Sequence, residues 1–114
     1  MNTHQMKLQP FPYLAMHRGD KTVEMRLFDE KRQTIAVGDT LVFTQTETGE
    51  TLTVQVVALR RYADFEALYA SEAHTTLGYA PHEVAHPSDM SQYYPPEEIQ
   101  RYGVLAIEIR RISQ

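Results

Sequence analysis

A β-hairpin is predicted by residues 40–60, which read TLVFTQTETGETLTVQVVALR. Residues 40–46 and 51–60 are rich in threonine, valine and leucine, a composition that is typical of strands. The four residues between them, ETGE at 47–50, form a compact turn with a glycine where a positive φ is needed. The stretch therefore predicts two neighbouring antiparallel strands, around which the other elements are assigned.

Shorter elements are predicted on both sides of this hairpin. Asp64 is expected to cap the helix that follows it. Residues 72–96 hold four of the six prolines and predict an ordered, irregular flap with a short helical piece at 88–93. We expect a protein of the α+β class, a single domain over residues 1–114 built on a small β-barrel of five to six mostly antiparallel strands with short flanking helices. Beyond the hairpin, the predicted strands are 3–8, 22–27 and 104–112, and the predicted helices are 12–18, 64–71 and 96–102.

The length and composition of the chain fit one globular unit with a compact core. It has 114 residues, of which 42% are hydrophobic and 23% are charged. The absence of cysteine excludes disulfides, a thiolate nucleophile and cysteine-based metal sites. A formal net charge of −4 argues against tight nonspecific binding along a nucleic-acid backbone, but it permits a local basic cleft. Since the first residues lack a basic, apolar leader and all apolar runs are short, we expect a soluble, cytoplasmic protein with no membrane partner.

The densest polar cluster is GDKTVEMR, residues 19–26. Residues 22–27 alternate between polar and apolar, which predicts a strand with one face in the core and the other face available. On the polar face lie Glu24 and Arg26, and Lys21 can reach over it from the helix–strand junction. Arg26 suits a phosphate or carboxylate, Glu24 a base edge and Lys21 a carbonyl. Three charges on a strand face are also typical of a solvated surface, and spacing alone does not decide between the two.

The same cluster resembles the signature of a known family. The G-x-K-x-x-E-x-R pattern of the ASCH domain, the activating-signal-cointegrator homology family, is matched by Gly19, Lys21, Glu24 and Arg26. Four further stretches, DEKRQTIAVGDTLVF, LGYAP, DMSQYY and RYGVLAIEI, also resemble its bacterial members. The resemblance implies a barrel similar to the PUA domains of RNA-modifying enzymes, with a cleft beside the signature for RNA or a nucleotide. We expect RNA, a nucleotide or a nucleoside as partner, no cofactor, and a monomer or weak homodimer.

A second function is implied by the same family. Some small members are amidohydrolases that remove an acyl group from N4-acetylcytidine with a lysine, a threonine and a glutamate. Lys21 takes the position of that lysine, Glu24 replaces the threonine, and Glu72 is the nearest match to the third residue. An ion-paired Lys21 is a better binder than base, whereas Glu24 is itself a candidate general base. Two functions stay open: a binding module with Lys21, Glu24 and Arg26 in its cleft, or an amidohydrolase with Lys21 and Glu24 as catalytic residues.

A zinc hydrolase is a third, less favoured alternative. Residues 82–86, HEVAH, satisfy the H-E-x-x-H pattern, in which two histidines on one helix face bind zinc and the glutamate activates water. Pro87 disfavours helical geometry at His86, and Pro81 leaves barely one turn before it. We therefore expect no metal site here.

Aromatic residues extend the candidate binding surface. Tyr93 and Tyr94 end the flap and are expected to line the cleft, where each base stacked on a ring contributes about 1–3 kcal/mol. Tyr79 and Tyr102 are expected to belong to the core. Two arginine pairs near strand ends either form a phosphate-facing rim or only improve solubility: Arg60-Arg61 and Arg110-Arg111.

Overall fold

A computed structural model describes residues 1–112 of the chain. The strands and helices all lie within two residues of their predicted bounds. In chain order they are β1 (Thr3–Leu8), α1 (Pro10–Arg18), β2 (Val23–Leu27), β3 (Thr40–Gln45), β4 (Thr51–Tyr62), α2 (Phe65–Ser71), α3 (Ser88–Ser91), α4 (Pro96–Tyr102) and β5 (Val104–Arg111). Two short 3-10 turns, Arg32–Thr34 and His74–Leu77, lie in the connections.

The five strands form one sheet in the order β1-β3-β4-β5-β2. β1 runs parallel to β3, and the other neighbouring strands are antiparallel. A parallel pair needs a long crossover, which α1, β2 and the following turn supply here. The sheet curls into a half-barrel with β1 and β2 at its two edges. The prediction of a small α+β barrel with mostly antiparallel strands and short helices is confirmed.

The inner face of the sheet encloses the larger core. Every second residue of β3 is buried, including Leu41 and Phe43, and Tyr13 and Met16 of α1 close the core on one side. A fully buried side chain of this size stabilises a fold by about 1.5–3 kcal/mol. The alternating burial along β3 therefore determines which face of the sheet lies inside.

β2 is covered on both faces. Its apolar residues Val23, Met25 and Leu27 pack in a second core with α2 and the flap. On its other face Glu24 is only 5% exposed. Glu24 is therefore not part of a solvated strand face, because residues distant in sequence enclose it.

Candidate functional site

A cleft of about 850 Å³ lies along the open seam between the two edges of the half-barrel. Residues 7–12, which run from the end of β1 into α1, form one wall. Residues 24–26 of β2 form the floor, and the flap, from Leu77 to Tyr94, contributes the opposite wall. This volume is within the range of small-molecule and cofactor sites.

Lys21 lies at the inner end of the cleft with a side chain that is 5% exposed. Its Nζ donates hydrogen bonds to the carbonyl oxygens of Val23 at 2.8 Å and Leu77 at 3.1 Å. The Glu24 carboxylate lies 3.2 Å from the same nitrogen. The three hydrogens of the ammonium group therefore each have an acceptor, two of them on backbone.

Glu24 connects the two cations of the signature. One carboxylate oxygen faces Lys21, and the other accepts a hydrogen bond from Nε of Arg26 at 2.8 Å. Burial acts to raise the pKa of Glu24, but the charges and hydrogen bonds of Lys21 and Arg26 outweigh it and lower this pKa below its usual value. The carboxylate is therefore ionised at neutral pH and is a weak proton acceptor.

Arg26 is the member of this trio that reaches the open part of the cleft. Its side chain is 15% exposed, and besides Glu24 it contacts the carbonyl oxygen of Lys7 at 2.7 Å through Nη2. Lys7 belongs to β1, so this hydrogen bond joins the two edge strands. Since a guanidinium has five N–H groups, three remain without an acceptor among residues 1–112.

Aromatic rings line the flap side of the cleft. Tyr94 is half-buried and stacks on Phe65 of α2, with ring centroids 5.8 Å apart. Tyr93 is 71% exposed and Phe11 of the facing wall is 80% exposed, so both rings present free faces at the opening. Because both rings line the cleft, their exposed faces are available to stack on a planar ligand.

A hydrogen-bonded chain fixes the flap beside these rings. The hydroxyl of Tyr79 donates to the carboxylate of Asp89 at 2.6 Å and lies 2.9 Å from the hydroxyl of Tyr69. Burial and the hydrogen bond to Asp89 raise the pKa of Tyr79, so its phenol stays neutral. Tyr79 packs against the second core, as expected, but it also lines the cleft.

Comparisons with known proteins identify the family. The model of the ASCH domain matches residues 6–113. The chain belongs to the ASCH domain family. Its structure is similar to the crystal structure of the hypothetical protein PH0355, with a TM-score of 0.81 and 32% identity over 96% of this chain and 99% of that one. No curated protein matches the sequence.

Two further structures share the fold of this ASCH domain. The solution structure of PF0455 from Pyrococcus furiosus has a TM-score of 0.71 and 33% identity over 98% of this chain and 99% of that one. The crystal structure of ASCH from Zymomonas mobilis has a TM-score of 0.65 and 16% identity, and the match covers 93% of this chain and 65% of that one. At 16% identity the second likeness supports the fold alone.

The structure of this ASCH domain brings together all five site residues predicted from the sequence. Each of them lines the cleft: Lys21, Glu24, Arg26, Tyr93 and Tyr94. Glu72 lies outside it, bound by Arg60 and Tyr62. Sequence reasoning missed Phe11 and Asp89, because Phe11 precedes the predicted helix 12–18 and Asp89 lies in the irregular flap, where no pattern singled it out.

The HEVAH stretch of the ASCH domain has no helix through residues 82–86. Residues 1–112 contain no group of three or more histidine, aspartate or glutamate side chains placed to hold a metal ion. No helix in this part of the chain is long and apolar enough to cross a membrane.

Proposed function

We propose that this ASCH domain binds RNA by taking one unpaired nucleotide into the cleft beside Lys21, Glu24 and Arg26. The observation that carries the proposal is the position of Arg26, which lines a cleft with aromatic walls and has N–H groups without an acceptor among the described residues. Bases of single-stranded RNA stack on such rings, and arginine donates paired hydrogen bonds to phosphate. The family membership supports the same class of ligand.

The charges of the cleft favour a ligand with little net charge inside it. Its lining contains three cations, Lys7, Lys21 and Arg26, and three carboxylates, which belong to Glu24, Glu83 and Asp89. A cleft with balanced charge does not attract a triphosphate, whereas it accommodates a base and one phosphate held by Arg26. The buried ion pairs also hold Arg26 in position before the ligand arrives, which lowers the entropic cost of binding.

An exposed ring at the opening of the cleft gives the sharpest test. We expect Tyr93→Ala to weaken binding of a fluorescein-labelled hexauridylate by about 5-fold to 150-fold, because one base stack contributes about 1–3 kcal/mol. Fluorescence anisotropy measures the change. Since Tyr93 is 71% exposed, the variant is expected to fold normally.

Val84→Ala is the matched control, because Val84 is equally exposed on the flap but does not line the cleft. Arg26→Lys keeps the charge and removes the planar donor group, so it is expected to weaken binding as well. Wild-type affinity in both Tyr93→Ala and Arg26→Lys would contradict the proposal.

A further inference from the structure

Two of the eight arginines differ from the others in their contacts. The side chains of Arg61 and Arg101 form no hydrogen bond or ion pair within residues 1–112, and both residues are exposed. The other six are engaged with acceptors: Arg18 with Asp20, Arg26 with Glu24, Arg32 with Asp29, Arg60 with Glu72, Arg110 with Gln55 and Arg111 with the carbonyl of His17. Of the two arginine pairs considered for a phosphate-facing rim, only Arg61 therefore has a free guanidinium.

These two arginines share one shallow recess. Its volume is about 430 Å³, and it lies where the end of β4 meets the end of α4, with Arg61 and Arg101 both in its lining. The guanidinium of Arg61 lies over the ring of Phe28, 4.1 Å from its centroid. That of Arg101 lies 5.1 Å from the ring centroid of Tyr102. Stacking on a ring orients a guanidinium but uses none of its N–H groups, which remain available to an anion.

Arg61, which lines the recess, lies on the same face of the sheet as Arg26 of the cleft, two strands away. Arg26 of β2 and Arg61 of β4 both pair with Leu105 of β5, so the three side chains share one face. Two strand spacings separate the Cα atoms of the two arginines by about 10 Å. Phe28, which carries the guanidinium of Arg61, lies two residues after Arg26 and directly follows β2. A single strand bound at Arg26 therefore has its neighbouring phosphates within reach of the recess.

We infer that Arg61 and Arg101 bind a backbone phosphate of the nucleotide next to the one in the cleft, so that the RNA strand leaves the cleft across the end of β2. The inference rests on the proposed function, because the cleft supplies the first nucleotide. Arginine is suited to this contact, since it presents paired N–H donors to two phosphate oxygens. Contacts of this kind fix the direction of a strand and carry no sequence information.

The test compares a ligand that spans both sites with one that fills only the cleft. We expect the double variant Arg61→Gln/Arg101→Gln to weaken binding of a fluorescein-labelled hexauridylate roughly tenfold at low salt, because the second phosphate loses both of its arginines. Competition of uridine 5′-monophosphate against the hexamer is expected to give the same mononucleotide affinity as in wild type. The control is Arg18→Gln/Arg110→Gln, which removes the same charge away from both sites and leaves hexamer binding within twofold.

The outcomes separate this inference from the proposed function. One outcome would overturn the exit path and leave the cleft proposal standing. In it, wild type binds the mononucleotide, Tyr93→Ala weakens that binding, and the double variant binds the hexamer as tightly as wild type does. Equal losses in the double variant and the control would also overturn the exit path, because the effect would then be one of total charge. If wild type binds neither ligand, both proposals are overturned. Thermal unfolding of each variant verifies that the fold is retained.

Discussion

The ammonium group of Lys21 has an acceptor for each of its three hydrogens. Two of these acceptors are carbonyl oxygens, of Val23 and Leu77, and the third is the Glu24 carboxylate. A lysine that acts as nucleophile or base needs its Nζ free to reach a substrate, whereas here Nζ is surrounded by three acceptors from the protein. Glu24 is likewise a weak base, because Lys21 and Arg26 lower its pKa despite burial. The contacts among Lys21, Glu24 and Arg26 therefore fix the positions of these charged groups and leave neither Lys21 nor Glu24 free to act as a base.

The contacts of Lys21 and Glu24 argue against amide hydrolysis at this site. We expect wild-type protein to release no acetate from N4-acetylcytidine above the background rate, because neither Lys21 nor Glu24 is available as a base. Chromatography of the nucleoside after prolonged incubation measures the product. Acetate release by wild type that is lost in Lys21→Ala, with retained binding of the nucleoside, would instead establish an amidohydrolase.

The sequence predicted the identity of these residues but not their burial. A two-residue period places Glu24 and Arg26 on one strand face, and that inference is local. The cover over them comes from residues 7–12 and 77–94, which the topology brings to the seam. No local pattern contains that information, so the choice between a solvated strand face and an enclosed cleft required the tertiary structure.

At the scale of elements, Asp39 attaches β1 to the turn that precedes β3. Its buried carboxylate accepts hydrogen bonds from the backbone N–H groups of Asn2 and Ala36 and contacts Nε2 of His4 at 2.8 Å. The hydrogen bonds from His4, Ala36 and Asn2 lower the pKa of Asp39 from 3.8 to about 2. This carboxylate therefore helps to hold the parallel edge strand.

The lowered pKa predicts a loss of stability in acid. A carboxyl group that binds protons less readily in the folded state stabilises it above the unfolded pKa, and that contribution disappears as the pH falls. For Asp39 the window lies between pH 3.8 and about 2. We expect the urea midpoint of wild type to fall across this window and that of Asp39→Asn to fall less.

Asp20→Asn is the control for the acid prediction, because Asp20 is exposed and pairs only with Arg18 among the described residues. It is expected to retain the wild-type pH profile. An Asp39→Asn profile with the full wild-type decline would show that Asp39 does not carry the effect.

The elements differ in how far the sequence determined them. The hairpin of β3 and β4 and the cap of α2 were predictable, because both depend on neighbouring residues; Asp64 does accept a hydrogen bond from the backbone N–H of Ala67. The parallel pairing of β1 with β3 was not predictable. The alternation in residues 3–8 gives a strand and its buried face, but it does not specify a partner or a direction.

At the scale of the whole molecule, the net charge of −4 limits the nucleic-acid surface. Four of the eight arginines are ion-paired with carboxylates: Arg18, Arg26, Arg32 and Arg60. Arg61 and Arg101, whose guanidinium groups have no acceptor among residues 1–112, line one recess. The ligand that we propose is therefore a short single strand and not a long duplex.

This distribution predicts a shallow salt dependence. With one phosphate bound by Arg26 and one by Arg61 and Arg101 together, the logarithm of the association constant for hexauridylate is expected to fall with the logarithm of salt concentration with a slope of about −1.4. Anisotropy titrations between low and moderate salt measure it. A slope of −4 or steeper would mean that phosphate is bound by other parts of the surface.

The hydrogen bond from Arg26 to the carbonyl of Lys7 has a mechanical consequence. β1 and β2 face each other across the seam as the two ends of the sheet, with no strand ladder between them. Among residues 1–112 this is the side-chain hydrogen bond that joins the two edge strands, and breaking it leaves every ladder of the sheet intact. We therefore expect that the proposed nucleotide, by replacing Lys7 as acceptor for Arg26, would separate the two ends of the sheet without breaking a strand pair.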